Sequence, residues 1–161
     1  MILAIGGNLA GDYPSLEALL EAALSELPRA RLRPLRRSSW WRSAAWPDPS
    51  DPPYLNAVTI VETSLGPRAV LEALLALEAR FGRVRSPPNA PRTLDLDLIA
   101  YGRLVIDQPG LTLPHPRAHE RRFVMGPLAE IAPNWRHPLL GITAAELATA
   151  ATVGRDAASR V

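Results

Sequence analysis

Cysteine is absent from the 161 residues, which excludes a disulfide scaffold, a thiolate zinc site and a cysteine nucleophile. Lysine is absent too, so all 18 basic residues are arginine. A phosphate-loop lysine, a Schiff-base lysine and a lysine general base are therefore impossible. Any anion held by charge must be held by planar, permanently charged guanidinium forks. Long apolar runs are also missing: none approaches the roughly 20 residues of a membrane-spanning helix. The opening MILAIGGNLAGD carries no basic leader, so a chain with no membrane partner, working in the cytoplasm, is expected.

What is present suits one compact domain over residues 1–161. Hydrophobic residues make up 47% and charged residues 21%, as in ordinary globular proteins. A net charge of +2 is too small to argue by itself for a nucleic-acid partner. The arginines are nonetheless clustered along the chain.

MILAIGG reads as a buried strand broken by two glycines. Pro14 then opens a helix through SLEALLEAALSEL to about Leu27. Residues 31–42, RLRPLRRSSWWR, suit an edge strand, because Pro34 would disturb a central one. AAWPDPSDPP, from Ala44 to Pro53, is too stiff and polar for core and reads as a surface loop. YLNAVTIVETS is a β-branched strand, and Pro67 starts a second amphipathic helix closed by Gly82. After the proline-rich RVRSPPNAPR come the strand TLDLDLIAYG and RLVIDQPG, a short hairpin partner ending at Gly110. Beyond Leu111 follow LTLPHPRAHERRF, part loop and part helix start, a helix near PLAEIAP, a weak helix TAAELATAA and a frayed tail after Val153. The order βαββαβ predicts a ferredoxin-like α+β sandwich: a mainly antiparallel sheet with helices packed on one face, plus a C-terminal helical extension.

Alternate side chains of a strand share a face. Asp95 and Asp97 therefore project together, about 6 to 7 Å apart, while Leu94, Leu96 and Leu98 turn to the core. Two converging carboxylates can hold magnesium, which prefers hard oxygen ligands, waters and substrate phosphates. An isolated pair of this kind is also what an amphipathic strand shows to solvent. The neighbours Arg83, Arg85 and Arg92 favour the metal, since guanidinium groups around an acid pair suit a metal-bound polyphosphate. His115, held between Pro114 and Pro116, can donate to a phosphate when neutral, and Arg121 can stabilise charge on a transferring group. Arg121 and Arg122 equally suit a solvated helix face. Tyr54 and Asn56 share one sheet face, where an amide and a phenol ring, with Phe123, match a guanine-like heterocycle; an aromatic at a strand start is also ordinary core. GGN fits neither GxGxxG nor GxxxxGK[ST], so Gly6 and Gly7 serve close backbone approach and a tight turn.

Taken in order, IGGNL, YLNAV, LEARFGRVR, APRTLDLDLI, LTLPHPRAHERRFV and PLAEIAP resemble the 6-hydroxymethyl-7,8-dihydropterin pyrophosphokinases of folate biosynthesis along nearly the whole chain. PRTLDLD is the most specific of these. The resemblance implies transfer of the β,γ-diphosphoryl group of ATP to the hydroxymethyl oxygen of a reduced pterin, with release of AMP, by a monomer using two magnesium ions. By matching position, Asp95 and Asp97 would ligand the metal. Arg83, Arg92, His115 and Arg121 would meet the phosphates, with Leu111 and Thr112 near the nucleotide. Tyr54, Asn56 and Phe123 would hold the pterin, closed over by Ser43, Ala44 and Trp46. Glu78 would support the site from its helix. The chain departs from the family where SPPNAPR is short, with Asn89 near the usual clamp, and where Gly110 and Pro116 replace a common lysine and tyrosine. Arg85, Arg117 or Arg122 would then share the phosphate grip.

Positioning and charge neutralisation dominate such chemistry. Asp97, the nearest candidate base, would be a poor one as a metal ligand. Two rivals compete with this reading: a ferredoxin-like RNA-binding module, which would need aromatics on adjacent strands, and a zinc hydrolase using His115 and His119.

Overall fold

The structure is a computed structural model that describes residues 1–84, 87–88, 90–155 and 158–161. Its centre is β1 (Ile2–Gly7), which runs antiparallel to two later strands, β4 (Tyr54–Glu62) on one side and β5 (Asp95–Ala100) on the other. On its far side β4 carries two short strands, β2 (Arg33–Arg37) and β3 (Trp41–Ser43), both antiparallel to it. The expected single strand over 31–42 is thus interrupted. Ser38 bridges the gap, its backbone N–H reaching the Val58 carbonyl at 2.9 Å and its hydroxyl accepting from the Val58 N–H at 3.0 Å. The β2–β4 register slips between Pro34 and Arg36, as expected where proline supplies no ladder donor.

Helices α1 (Leu16–Glu26) and α2 (Pro67–Arg80) cover one face of this sheet. Ser15, not Pro14, caps α1, its hydroxyl accepting from the Ala18 N–H at 3.0 Å. The 3.6-residue period brings Leu19, Leu20, Ala23 and Leu24 of α1, with Val70, Leu74 and Leu77 of α2, onto Leu3, Ile5, Leu96 and Leu98 of the sheet. The other face is covered as well, contrary to the one-sided packing expected. Helices α3 (Arg122–Ile131) and α4 (Ala144–Ala150) bury Val124, Met125, Leu128 and Leu147 against Ile2, Val58 and Ile99. The C-terminal extension is therefore the second layer of the core. α3 also starts earlier than PLAEIAP suggests and runs through Pro127.

Two further expectations are corrected. Ile106–Gln108 (β6) pairs with Leu111–Leu113 (β7) in a separate two-stranded sheet, not with β5. The tail after Val153 is tied down: Ser159–Arg160 (β8) pairs with Trp41 and Arg42 of β3, and the Val161 N–H donates to the Trp40 carbonyl at 2.8 Å. No helix among the described residues is long and apolar enough to cross a membrane.

Candidate active site

β5 builds the centre of the site. Leu96 and Leu98 pass into the core while Asp95 and Asp97 project together from the opposite side, as strand alternation requires. The Leu96 N–H is satisfied by Glu78, which reaches it from the last turns of α2 at 2.7 Å. The same Glu78 oxygen accepts from Arg83 at 2.7 Å, and the same Arg83 nitrogen bonds Asp95. Arg92 meets the other Asp95 oxygen at 3.4 Å. Helix, arginine and strand are thereby tied through one buried carboxylate.

Desolvation pushes the Glu78 carboxyl up to about 7, against the Leu96 N–H and Arg83, which pull it down. Burial works against the charge of Arg83, yet Asp95 and Glu78 hold its pKa above the ordinary value. Asp97 is raised to about 6 by burial and then by Asp95, with Arg121, Arg83 and Arg92 opposing. The second aspartate therefore sits where more positive charge would be favourable.

The Arg92 backbone is held by Asn8, a residue that sequence reasoning passed over. Its buried side-chain oxygen accepts from the Arg92 N–H at 2.8 Å, and its amide donates to the Pro52 carbonyl at 3.0 Å. The Arg92 carbonyl in turn accepts from the Asn8 N–H at 2.9 Å. Asn8 thus joins the end of β1, the segment entering β5 and the proline-rich loop. Such partners are all backbone groups, which leave no mark in a sequence. Gly7 allows the approach, since a Cβ there would collide with the Thr93 carbonyl.

Two clefts open beside β5. One, of about 260 Å³, is lined by Leu71, Asp97, Leu111, Thr112 and His115, with Gly110 and Pro116. The His115 ring is fixed there: its Nδ1 accepts from the Arg117 N–H at 3.1 Å, which leaves Nε2 to carry the proton. Burial and then Arg121 depress its pKa to about 4, so the ring is neutral. The second cleft, about 40 Å³, is lined by Gly6, Tyr54, Asn56, Asp95, Asp97, Arg121 and Phe123. Asn56 donates to the Ser43 hydroxyl at 2.9 Å, and the Arg121 guanidinium lies 5.8 Å from the Phe123 ring centre. Asp97 borders both clefts.

Other expected site residues lie elsewhere. Ala44 is exposed, and Trp46, at 72% exposed, stands out in solvent; neither lines the second cleft. Arg122 is engaged structurally, donating to the Ala148 carbonyl at 2.7 Å and lying over Trp41. It is not among the residues lining either cleft. His119 meets His137 edge-on at 5.6 Å. Among the described residues no three His, Cys, Asp or Glu side chains gather as a metal cluster, so the zinc alternative finds no ligand set. Arg85, with Asn89 of the divergent loop, lies outside the described residues.

An antiparallel α+β layer structure carries two clefts that share Asp97, with Arg83, Arg92 and Arg121 about the acid pair, an arrangement that suits small anionic ligands. The chain belongs to the 7,8-dihydro-6-hydroxymethylpterin-pyrophosphokinase family, whose family profile matches residues 2–133. It is similar to the 2-amino-4-hydroxy-6-hydroxymethyldihydropteridine pyrophosphokinase of a Synechocystis strain, 44% identical over 91% of this chain and 73% of that one. The protein of the same name from Pseudomonas aeruginosa is 38% identical over 84% of this chain and 82% of its own length. Among solved structures, wild-type Plasmodium falciparum HPPK-DHPS has the same fold, with a TM-score of 0.70 at 12% identity. That match covers 92% of this chain and 40% of the Plasmodium chain, so the present chain spans under half of it. The RNA-binding alternative gains nothing from these matches.

Proposed function

We propose that the protein transfers the β,γ-diphosphoryl group of ATP to the hydroxymethyl oxygen of 6-hydroxymethyl-7,8-dihydropterin, releasing AMP, in folate biosynthesis. What carries this reading is Asp97, the side chain common to both clefts. The cleft of Leu111, Thr112 and His115 takes the nucleotide. The cleft of Tyr54, Asn56 and Phe123 takes the pterin. The sheet order β5-β1-β4 followed by β2 and β3, with helices crossing between, supports assigning the core to the ferredoxin-like sandwiches. The protein acts as a single domain and a monomer in the cytoplasm.

Two magnesium ions belong to this reading, and the donor set fits them. Asp95 and Asp97 offer the hard carboxylate oxygens magnesium prefers, and Asp97 is raised to about 6 by burial and by Asp95 despite Arg121, Arg83 and Arg92. Bound there with the nucleotide, the ions would offset charge on its phosphates.

The residues of the chain do the rest by position. The pterin hydroxyl oxygen attacks the β-phosphorus, the bond from that phosphorus to the α–β bridging oxygen breaks, and AMP leaves with the electron pair. The hydroxyl proton passes to solvent. His115, neutral and with its proton on Nε2, donates to a phosphate oxygen. Arg121 faces charge building on the transferring group from the acceptor side. Arg83 and Arg92 fix Asp95, and Glu78 fixes Arg83.

Incubation with ATP, magnesium and the reduced pterin tests the proposal. AMP should form only when all three are present; ADP, or no nucleotide product, would refute it.

A further inference from the structure

The family match ends at residue 133, yet the chain beyond it returns to the pterin cleft. We infer that the C-terminal segment around Val153 and Gly154 is a strap that positions Arg121 and Phe123 for the acceptor, with Gly154 setting the place of the Phe123 ring. The inference rests on the pterin reading of the second cleft.

Three observations carry it. First, Val153 forms a parallel bridge with Arg121: its N–H donates to the Glu120 carbonyl at 3.0 Å, and its carbonyl accepts from the Arg122 N–H at 2.9 Å. The backbone on both sides of Arg121 is thereby held from outside its own helix. Arg121 stands at the start of α3 and has no side-chain cap of its own there, so this bridge fixes the turn from which it projects. Second, Gly154 follows with φ of +76° and lies against Phe123: a Cβ at this position would stand 3.2 Å from the ring Cδ1. The ring therefore rests on bare backbone, and a side chain at 154 would require the ring that lines the cleft to give by a few tenths of an ångström. Third, the segment is anchored beyond this point. The Ala158 N–H donates to the Gly154 carbonyl at 2.7 Å, and Ser159–Arg160 joins β3, whose Ser43 hydroxyl accepts from Asn56. One stretch of chain thus ties the arginine and aromatic side of the cleft to the sheet edge behind its amide side.

Gly154 acts through the Phe123 ring, which lines the second cleft and not the Thr112 and His115 cleft that holds the nucleotide in this reading. The test is Gly154→Ala beside Gly102→Ala, which places the same residue at another positive φ, +57°, with nothing within 4 Å of its Cβ. Thermal melts record the backbone strain common to both. Steady-state kinetics then separate position from strain. The KM for the pterin should rise on the order of three- to tenfold in Gly154→Ala, with kcat and the KM for ATP within about twofold of wild type, while Gly102→Ala moves neither KM. In a Phe123→Leu background the added Gly154→Ala change should have no further effect on the pterin KM, because the ring it displaces is gone. A Gly154→Ala protein that behaves as Gly102→Ala, or one in which both KM values rise together, overturns the strap. A wild-type protein that forms no AMP with the pterin overturns instead the reading beneath it.

Discussion

At the scale of single residues, the site is a set of charges held against their preferences. Asp97 and Glu78 both have folded pKa values above their ordinary ones, about 6 and about 7. The native state without metal thus binds protons more tightly than the unfolded chain. The stability these groups allow is fully present below pH 4 and declines as pH rises through 4 to 7. Asp97→Asn should therefore raise the melting stability of metal-free protein at pH 8, by on the order of 1–3 kcal/mol, with no gain at pH 4. Melts of both proteins at the two pH values, in chelator, check this; an equal change at both would contradict it. His115 runs the other way, its folded pKa lying near 4 against 6.5 unfolded. Stability linked to it is present above 6.5 and is lost as pH falls toward 4. Its ring proton resonances should stay flat from pH 8 to 5 in an NMR titration, keeping Nε2–H as a donor throughout the working range.

At the scale of elements, what was legible was what alternation and periodicity record. β5 was readable because Leu94, Leu96 and Leu98 alternate with Asp95 and Asp97, and α1 and α2 because their apolar stripes recur every three to four residues. The gap between β2 and β3 escaped notice because it depends on Ser38 bonding Val58 across the sheet. β8 carries no apolar pattern at all: Ser159 and Arg160 are exposed, and their pairing with β3 is decided by tertiary contact. The helix near PLAEIAP was legible, but it is continuous with the helix start in the preceding segment: α3 begins at Arg122 and runs through Pro127. Asn8 is the clearest omission, since it binds only backbone, at Arg92 and Pro52. Asn8→Ala should leave the part-buried Arg92 N–H unpaired and cost on the order of 1 kcal/mol. Chemical denaturation should report that loss, and activity should fall with it, because Arg92 is held in place by the same bond.

At the scale of the whole molecule, the sheet is sealed on both faces, by α1 and α2 on one and by α3 and α4 on the other. Two clefts stay open, one between β5 and the β6–β7 hairpin and one across β5, β1 and the start of β4 at the turn into α3. In the proposed reading the two substrates meet across the carboxylate of Asp97, which lines both clefts. Trp46 and Ala44 do not line the second cleft, whereas the far end of the same loop is tied in through the Pro52 carbonyl, which accepts from Asn8. The most direct test counts AMP formed per pterin consumed, in wild type and in Asp97→Ala under saturating ATP and magnesium. The account predicts one AMP per pterin in wild type and a rate lower by on the order of 10²- to 10³-fold in the variant; ADP as the product, or an Asp97→Ala protein turning over near the wild-type rate, would contradict it.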